Sequence, residues 1–322
     1  MKQEYRVADK FKEDCEAFFL GQTAGNLWPY LYGEPTNEDD PVRGSILYNE
    51  LLKKENDYYL YNHEAELLQT SGKYLASLIG ADATLIEMGP GGEKSFRHKT
   101  LPFLKAFPRL HGYVGIDVCQ DFLTTILEIV HINFPDLFIT GLHQDFTQLE
   151  KLTKFPKAII FFKGSTVGNL RNGEVQDLLS RFRCLISEGH YLVITNDANQ
   201  DEMSLMKAYN TSRVAPFIEN VMHRIKRDLN LTEMIPNAFR YQPEWIQETH
   251  DFRHILTATS EQEFHIGEQF VKIDKGQKLH IMSSFKYPVD FFRTMVVQAG
   301  FEPVEFFLDS SERMAVHLFR AI

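Results

Sequence analysis

Five short apolar runs between residues 84 and 196 limit the folds that this chain can adopt. They are bounded by turn-forming or charged residues, as expected for strands that are buried in a parallel sheet. The predicted strands are 84–88, 112–117, 137–140, 158–162 and 191–196. Helix-like segments separate them, so the sequence predicts an α/β fold with a central parallel sheet.

The clearest helix lies between the fourth and fifth runs. Its apolar residues follow the i, i+3, i+4, i+7 spacing, and Gly189 follows them as a C-cap. These residues are Val175, Leu178, Leu179, Phe182, Leu185 and Ile186. Towards the end of the chain, a helix at 291–298 precedes strands at 303–308 and 314–320. A helix followed by a hairpin at the edge of a parallel sheet is typical of Rossmann-like methyltransferases.

Two segments, 1–61 and 199–286, do not fit this alternation. The second contains helix-like runs at 203–209 and 221–229, and then alternating stretches at 254–259 and 264–273. We therefore predict a second, smaller α+β domain built from 1–61 plus 199–286. The Rossmann-like domain would comprise 62–198 plus 287–322.

Charge and composition narrow the classes of partner. The 322 residues include 34 basic and 44 acidic side chains, a net charge of −10, which disfavours nucleic acid and favours a small-molecule substrate. The three cysteines are far apart and predict neither disulfides nor a metal site. No apolar run approaches the roughly 18 residues of a membrane helix, and the N-terminal segment has no apolar core, so we expect a cytoplasmic protein without a membrane partner. The sequence does not fix an oligomeric state.

The first predicted strand leads into a glycine-containing turn, EMGPGGEK, which is typical of a nucleotide-binding loop. A phosphate-binding P-loop requires a glycine directly before the lysine, and no glycine stands directly before Lys94. The dinucleotide pattern requires three glycines; Gly89 and Gly91 supply two, and Lys94 occupies the third position. Both alternatives are therefore disfavoured.

S-adenosylmethionine fits these residues better, because it carries a cationic amino-acid tail and no pyrophosphate. Glu87 and the bare backbone at Gly89 and Gly91 suit that tail, and Asp117 at the end of the second strand can accept hydrogen bonds from a ribose diol. After the third strand, Asp145 and Phe146 suit the amine and the face of an adenine. Asp117 has an alternative role, as the N-cap of a helix that begins near Cys119.

Several stretches resemble one family, the histidine-specific, S-adenosylmethionine-dependent Nα-methyltransferases of ergothioneine biosynthesis and their fungal relatives that N-methylate a prenylated tryptophan. The stretches are EMGPGGEKS (87–95), GIDVC (115–119), QDFTQL (144–149), FFKGSTVGNL (161–170), DANQDEMSLMKAYN (197–210) and AGFEPVEFFLDSSERMAVHL (299–318). The most specific of them is GSTVGN, which general methyltransferases lack.

The resemblance implies roles for residues within these matches. Asn169 and Tyr209 would hold the amino and carboxylate groups of an amino-acid substrate and so form the catalytic pair. Tyr58 would line the substrate site. Lys94 and Gly164 would contact the cofactor, and Gly164 the substrate as well. No metal is implied.

The resemblance breaks in the part of the site that binds the substrate's side chain. The family has a Glu-x-Ser-x-Lys element whose Glu accepts the imidazole hydrogen and whose Ser helps to fix the ring. Aligning Ser284 and Lys286 with it makes Ser284 a substrate-binding residue and puts Met282 at the position of the Glu. His254 corresponds to a family methionine near the ring. A thioether packs well against rings but cannot replace a carboxylate acceptor. We therefore predict Nα-methylation of a free, aromatic amino acid; histidine stays open if His254 replaces the lost partner, and a cofactor-binding protein without turnover is the other alternative.

Overall fold

The structure is a computed structural model that describes residues 2–54, 58–152 and 154–322. Its helices are α1 (Lys2–Phe19), α2 (Gly44–Lys54), α3 (Tyr59–Ile79), α4 (Glu93–Ser95), α5 (Leu101–Lys105), α6 (Gln120–Asn133), α7 (Asn172–Leu185), α8 (Glu202–Tyr209), α9 (Val214–Asp228) and α10 (Val289–Gln298). Its strands are β1 (Ala83–Met88), β2 (Leu110–Asp117), β3 (Phe138–His143), β4 (Ala158–Phe162), β5 (Tyr191–Asp197), β6 (Phe239–Tyr241), β7 (Glu244–Ile246), β8 (Asp251–Ala258), β9 (Gln262–Ile266), β10 (Gln269–Ile273), β11 (Lys278–Phe285), β12 (Phe301–Leu308) and β13 (Met314–Ala321). By its contacts the chain divides into two compact units.

The first unit comprises Leu60–Asn199 and Lys286–Ile322, and we call it the α/β unit. Its seven-stranded sheet has the order β12-β13-β5-β4-β1-β2-β3. β1 to β5 are parallel, and β13 pairs antiparallel with both β5 and β12. The predicted α/β fold with a terminal hairpin is therefore confirmed.

The topology of this sheet points to one edge for ligand binding. The strand order reverses between β1 and β4, and ligands of open α/β sheets bind beyond the carboxyl ends of the strands at such a reversal. β1 and β4 are buried along their whole length, and Phe103 stacks on Phe161 with ring centroids 4.7 Å apart. The apolar runs that predicted the strands thus form a packed core, which holds the loops at the carboxyl ends in place.

The second unit comprises the residues up to Tyr59 together with Gln200–Phe285. Its four-stranded antiparallel sheet has β8 as the shared strand, paired with β11, β6 and β7. Helix α9 buries one apolar face against the core of this unit, with side chains that include Phe217, Ile218, Val221, Met222 and Ile225. The alternating stretch 264–273 forms two strands, β9 and β10, because the chain turns at Gly267 with φ +60°.

Within the described residues, no helix is long and apolar enough to cross a membrane.

Candidate cofactor and substrate sites

The glycine loop after β1 has a backbone that only glycine adopts readily. Gly89 has φ +73° and Gly91 has φ +68°. A Cβ added to Gly89 would lie 3.4 Å from the ring of Phe146. Around Gly91, apart from the glycine itself and its two chain neighbours, no heavy atom of the described residues lies within 4 Å of the place of a Cβ. The loop therefore offers bare backbone to a ligand on its Gly91 side.

Asp117, at the end of β2, joins this loop to the helix that follows. One carboxylate oxygen accepts a hydrogen bond from Gly91 N at 3.1 Å, and the other accepts one from Cys119 N at 2.9 Å. The side chain is 7% exposed. Because each carboxylate oxygen can accept two hydrogen bonds, both keep capacity for a ribose diol. Cys119, and not Asp117, is the N-cap of α6, so the capping interpretation of Asp117 is wrong. Asp117 instead accepts a hydrogen bond from the backbone of that N-cap residue.

Asp145 and Phe146 lie beside Asp117 at the end of β3. Gln144 N donates to the backbone oxygen of Asp117 at 3.1 Å, which brings the ends of β2 and β3 together. Asp145 caps a short turn by accepting from Thr147 N at 2.8 Å. Phe146 is half-buried, with its ring 5.4 Å from Phe162 and next to Gly89. The structure therefore brings together the glycines, two acids and the aromatic ring predicted to bind the cofactor.

Glu87 lies deeper than the other predicted cofactor residues. Its carboxylate is fully buried and accepts from Thr100 Oγ1 and Tyr113 OH, each at 2.6 Å. Lys163 Nζ lies 3.2 Å from the same carboxylate and donates to the backbone oxygen of Pro90 at 2.9 Å. Lys163 thus links the Glu87 carboxylate to the glycine loop, by an ion pair with Glu87 and a hydrogen bond to Pro90.

A second buried carboxylate, Glu64 on α3, was missed by the sequence analysis. It forms an ion pair with Lys99 and accepts from Thr195 Oγ1 and, at 2.6 Å, from Gly164 N. Burial by itself would raise the pKa of Glu64. The charge of Lys99 and the hydrogen bonds from Lys99, Thr195 and Gly164 outweigh that effect and hold this pKa below its ordinary value. Glu64 thus fixes the start of the loop that carries Asn169.

The loop 164–169 contains local backbone strain. Gly164 has φ +87°, and Ser165, which is not a glycine, has φ +52°. A non-glycine residue in this region costs of the order of 1–3 kcal/mol and is found most often at functional sites. The Ser165 hydroxyl is buried without a hydrogen-bond partner among the described residues. Asn169 ends the turn and is half-buried.

A further hydrogen bond holds the residue that follows the loop 164–169. Tyr287 OH donates to the backbone oxygen of Leu170, next to Asn169, at 2.7 Å.

Lys94 lies in the short helix α4 with its ammonium 5.1 Å from the ring centroid of Tyr61. Tyr61 OH also donates to the backbone oxygen of Lys94 at 3.1 Å. Lys94 therefore lies near the glycine loop with a position set by Tyr61.

The residues predicted to meet the substrate's side chain lie together in the second unit. β11 pairs with β8 so that Met282 faces His254 and Ser284 faces Phe252. The register shifts by one residue between His280 and Met282, which puts Met282 and Ser284 on the same sheet face as His254 and Phe252. Without that shift, both side chains would point to the opposite face.

Tyr209, at the end of α8, packs on this face. Its ring centroid lies 4.7 Å from that of Phe252, 5.3 Å from that of His254 and 5.6 Å from that of Tyr58. Tyr209 is 4% exposed and Met282 8% exposed, whereas Tyr58 is half-buried. The face is thus a largely apolar, aromatic surface.

His254 is hydrogen-bonded at both ring nitrogens. Its Nδ1 lies 2.8 Å from Tyr241 OH, and its Nε2 lies 3.1 Å from Ser284 Oγ. Tyr241 was missed by the sequence analysis, because only the pairing of β6 with β8 brings it beside His254. Among the described residues, no group of His, Cys, Asp or Glu side chains is arranged to hold a metal ion.

The sheet with its terminal hairpin, and the strand-end loops with bare glycines and acids, together define an S-adenosylmethionine-dependent methyltransferase. Residues 29–321 match the family described as "Histidine-specific methyltransferase, SAM-dependent". The chain therefore belongs to this family, its cofactor is S-adenosylmethionine, and it is an N-methyltransferase.

Three relatives are similar over most of their length. "N-methyltransferase dtpB" of Aspergillus flavus is 26% identical, with 84% of this chain and 79% of that protein covered. "Histidine N-alpha-methyltransferase" of Mycobacterium tuberculosis is 26% identical, with 83% of this chain and 84% of that protein covered. The protein of the same description in Mycolicibacterium smegmatis is 24% identical, with 83% of each chain covered.

Proposed function

We propose that this protein transfers a methyl group from S-adenosylmethionine to the α-amino group of a free aromatic amino acid that need not be histidine. The observation that carries the proposal is the face of the second unit on which Met282 pairs with His254 and the ring of Tyr209 packs against those of Phe252 and His254. A thioether and aromatic rings favour an apolar ring over an imidazole that needs a carboxylate acceptor.

The proposed cofactor site belongs to the α/β unit. The open side of Gly91 and the remaining acceptor capacity of Asp117 suit a ligand with an amino-acid tail and a ribose. Phe146 beside Gly89 suits an adenine face, and Asp145 its amine. We assign Glu87 a supporting role, since its buried carboxylate holds Lys163, which in turn holds Pro90 of the glycine loop. Lys94 and Gly164 complete the proposed set.

The proposed catalytic contribution of the chain is to position the substrate. When bound, the cofactor supplies an electrophilic methyl group. Transfer of this group forms an N–C bond and breaks the S–C bond. The cofactor leaves as a neutral thioether, and the amine releases one proton. The Asn169 amide orients the amine, and the Tyr209 hydroxyl binds the carboxylate. Such positioning requires neither a covalent nucleophile nor a strong acid, because the leaving group is neutral.

The test is to incubate the protein with S-adenosylmethionine and, separately, tyrosine, phenylalanine, tryptophan and histidine. Tandem mass spectrometry would locate any added methyl group. We expect product on the α-nitrogen of an aromatic amino acid other than histidine. The matched control is the same amino acid with its α-amine acetylated, which should receive no methyl group. Product from histidine alone would contradict the substrate preference, and methylation of the acetylated control would contradict the α-amine as acceptor.

A further inference from the structure

A cavity of about 230 Å³ lies in the second unit, where helix α9 meets the start of α2 and the turn Pro236–Ala238. Four apolar residues form part of its wall: Pro41, Leu47, Pro216 and Pro236. The volume is far above the roughly 10–15 Å³ that one water molecule requires. The cavity can therefore admit a small organic molecule.

Hydrogen bonds between its segments hold the wall of this cavity in place. The Asn220 side chain on α9 accepts from Arg43 N at 2.9 Å and donates to the backbone oxygen of Pro41 at 2.7 Å. Glu219, also on α9, accepts from Tyr241 N at 2.9 Å through Oε1. The carboxylate of Glu219 thus has a fixed place in the wall, and its Oε2 is left for another donor.

Charged side chains of both signs line the cavity, namely those of Arg43, Arg240 and Glu219. Within the part of the chain that the structure describes, none of these three side chains forms an ion pair. Arg240 Nη1 donates to the backbone oxygens of Asn237 and Phe239, at 3.1 and 2.9 Å. Both arginines are exposed and Glu219 is half-buried, so a ligand can reach all three charges from solvent.

Opposite charges that are not paired with each other, beside an apolar wall, match a zwitterion. A guanidinium binds a carboxylate through two parallel N–H···O hydrogen bonds. The remaining oxygen of Glu219 can accept a hydrogen bond from an ammonium. The same carboxylate repels phosphate and other simple anions. An α-amino acid with an apolar side chain has a group for each part of this wall.

We propose that this cavity is a second amino-acid site, which binds a free α-amino acid with an apolar side chain. Arg43 binds the carboxylate, Glu219 binds the ammonium, and the side chain packs against Leu47 and the prolines. An amine held as an ammonium has no lone pair for methyl transfer, so the molecule bound here is not methylated. The proposal goes beyond the proposed function, because none of these residues belongs to the proposed cofactor or substrate site.

The test uses L-leucine as the probe, because leucine is apolar but is not one of the aromatic amino acids proposed as substrates. Calorimetric titration of the whole chain with L-leucine should show saturable binding. Arg43→Ala should weaken this binding by about tenfold or more, the loss expected for a charge-assisted hydrogen bond. Glu219→Gln, which keeps an acceptor for Tyr241 N, should weaken it to a similar extent.

Isocaproate, which is leucine without its amine, separates the roles of the two charges. It should bind the wild type less tightly than leucine does, because it cannot use Glu219. Arg43→Ala should weaken its binding, whereas Glu219→Gln should not. Weaker binding of isocaproate in Glu219→Gln would contradict the assignment of Glu219 to the ammonium.

The matched control is Arg181→Ala, an exposed arginine on α7, which should keep the wild-type affinity for leucine. No leucine binding, or binding that survives both Arg43→Ala and Glu219→Gln, would overturn the proposal. Displacement of leucine by an equal concentration of inorganic phosphate would also overturn it, because the cavity would then be a general anion site. Methylation assays leave this outcome untouched, so the proposed function and the second site can fail separately.

Discussion

Asn169 ends the turn Thr166–Asn169, and its proposed role concerns the substrate alone. We expect Asn169→Ala to lower kcat/KM by about a hundredfold or more, because the amine is no longer aligned for transfer. Affinity for S-adenosylhomocysteine, measured by calorimetry, should change little. The control is Asn172→Ala, an exposed asparagine at the start of α7, which should leave both quantities unchanged. A collapse of cofactor affinity in Asn169→Ala would assign the loop to the cofactor instead.

His317 on β13 should make stability depend on pH. Its side chain is fully buried, Nε2 lies 2.8 Å from Asn196 Oδ1, and burial lowers its pKa from 6.5 to about 3, with Arg293 adding to the effect. Between these values the unfolded chain binds more protons than the folded one, so stability is full above about pH 6.5 and falls as the pH drops towards 3. The slope approaches about 1.4 kcal/mol per pH unit.

The variant His317→Gln keeps a donor for Asn196 and removes the titrating group. Between pH 7 and pH 5 the wild type should lose about 2 kcal/mol more unfolding free energy than this variant. Urea unfolding at a series of pH values measures the difference. Parallel curves for the two proteins would show that His317 does not titrate in this way.

The site residues whose roles could be predicted from the sequence are those that stand at the end of a predicted strand or directly after it. Gly89 and Asp117 follow apolar runs directly, so their types and positions suffice to indicate a ligand loop. Glu64 and Tyr241 could not be predicted, because their partners, Gly164 and His254, are distant in the sequence. Their roles depend on pairings that only the folded chain forms.

Among the elements, helix α3 and the turn with Lys99 are joined by a buried ion pair. The side chains of Glu64 and Lys99 are 1% and 6% exposed. Glu64→Ala should lower the free energy of unfolding by about 3–5 kcal/mol, because it leaves a buried ammonium unpaired. The control is Glu93→Ala, which removes the exposed pair with Arg97 and should cost less than about 1 kcal/mol. Urea unfolding distinguishes the two, and equal losses would contradict the role of the buried pair.

Most elements of the α/β unit were predictable, whereas the second unit was predictable only as an addition to it. Buried parallel strands appear in the sequence as continuous apolar runs, so β1 and β4 were located within a residue. The register of β11 could not be predicted, because the one-residue shift before Met282 leaves no local pattern. That shift decides which side chains share a face with His254, and so which residues form the proposed substrate-binding face.

For the whole molecule, the cofactor site should couple ligand binding to stability. S-adenosylhomocysteine at a hundredfold excess over its Kd should add about 2.7 kcal/mol to the free energy of unfolding. Asp117→Ala should remove most of this gain at the same ligand concentration, because it loses the ribose acceptor and the tie to Gly91. Asp121→Ala, an exposed acid at the start of α6, serves as control and should keep the gain. Equal gains in both variants would place the nucleoside elsewhere.

We propose that the chain methylates the α-amine of a free aromatic amino acid that need not be histidine, and the composition of the proposed substrate-binding face leads us to expect one other than histidine. The most direct measurement is mass spectrometry of the purified protein with S-adenosylmethionine and all twenty amino acids in one competition. We predict a gain of methyl mass on an aromatic amino acid other than histidine, and its reduction by Asn169→Ala. A gain on histidine alone, or on a non-aromatic amino acid, would contradict the claim.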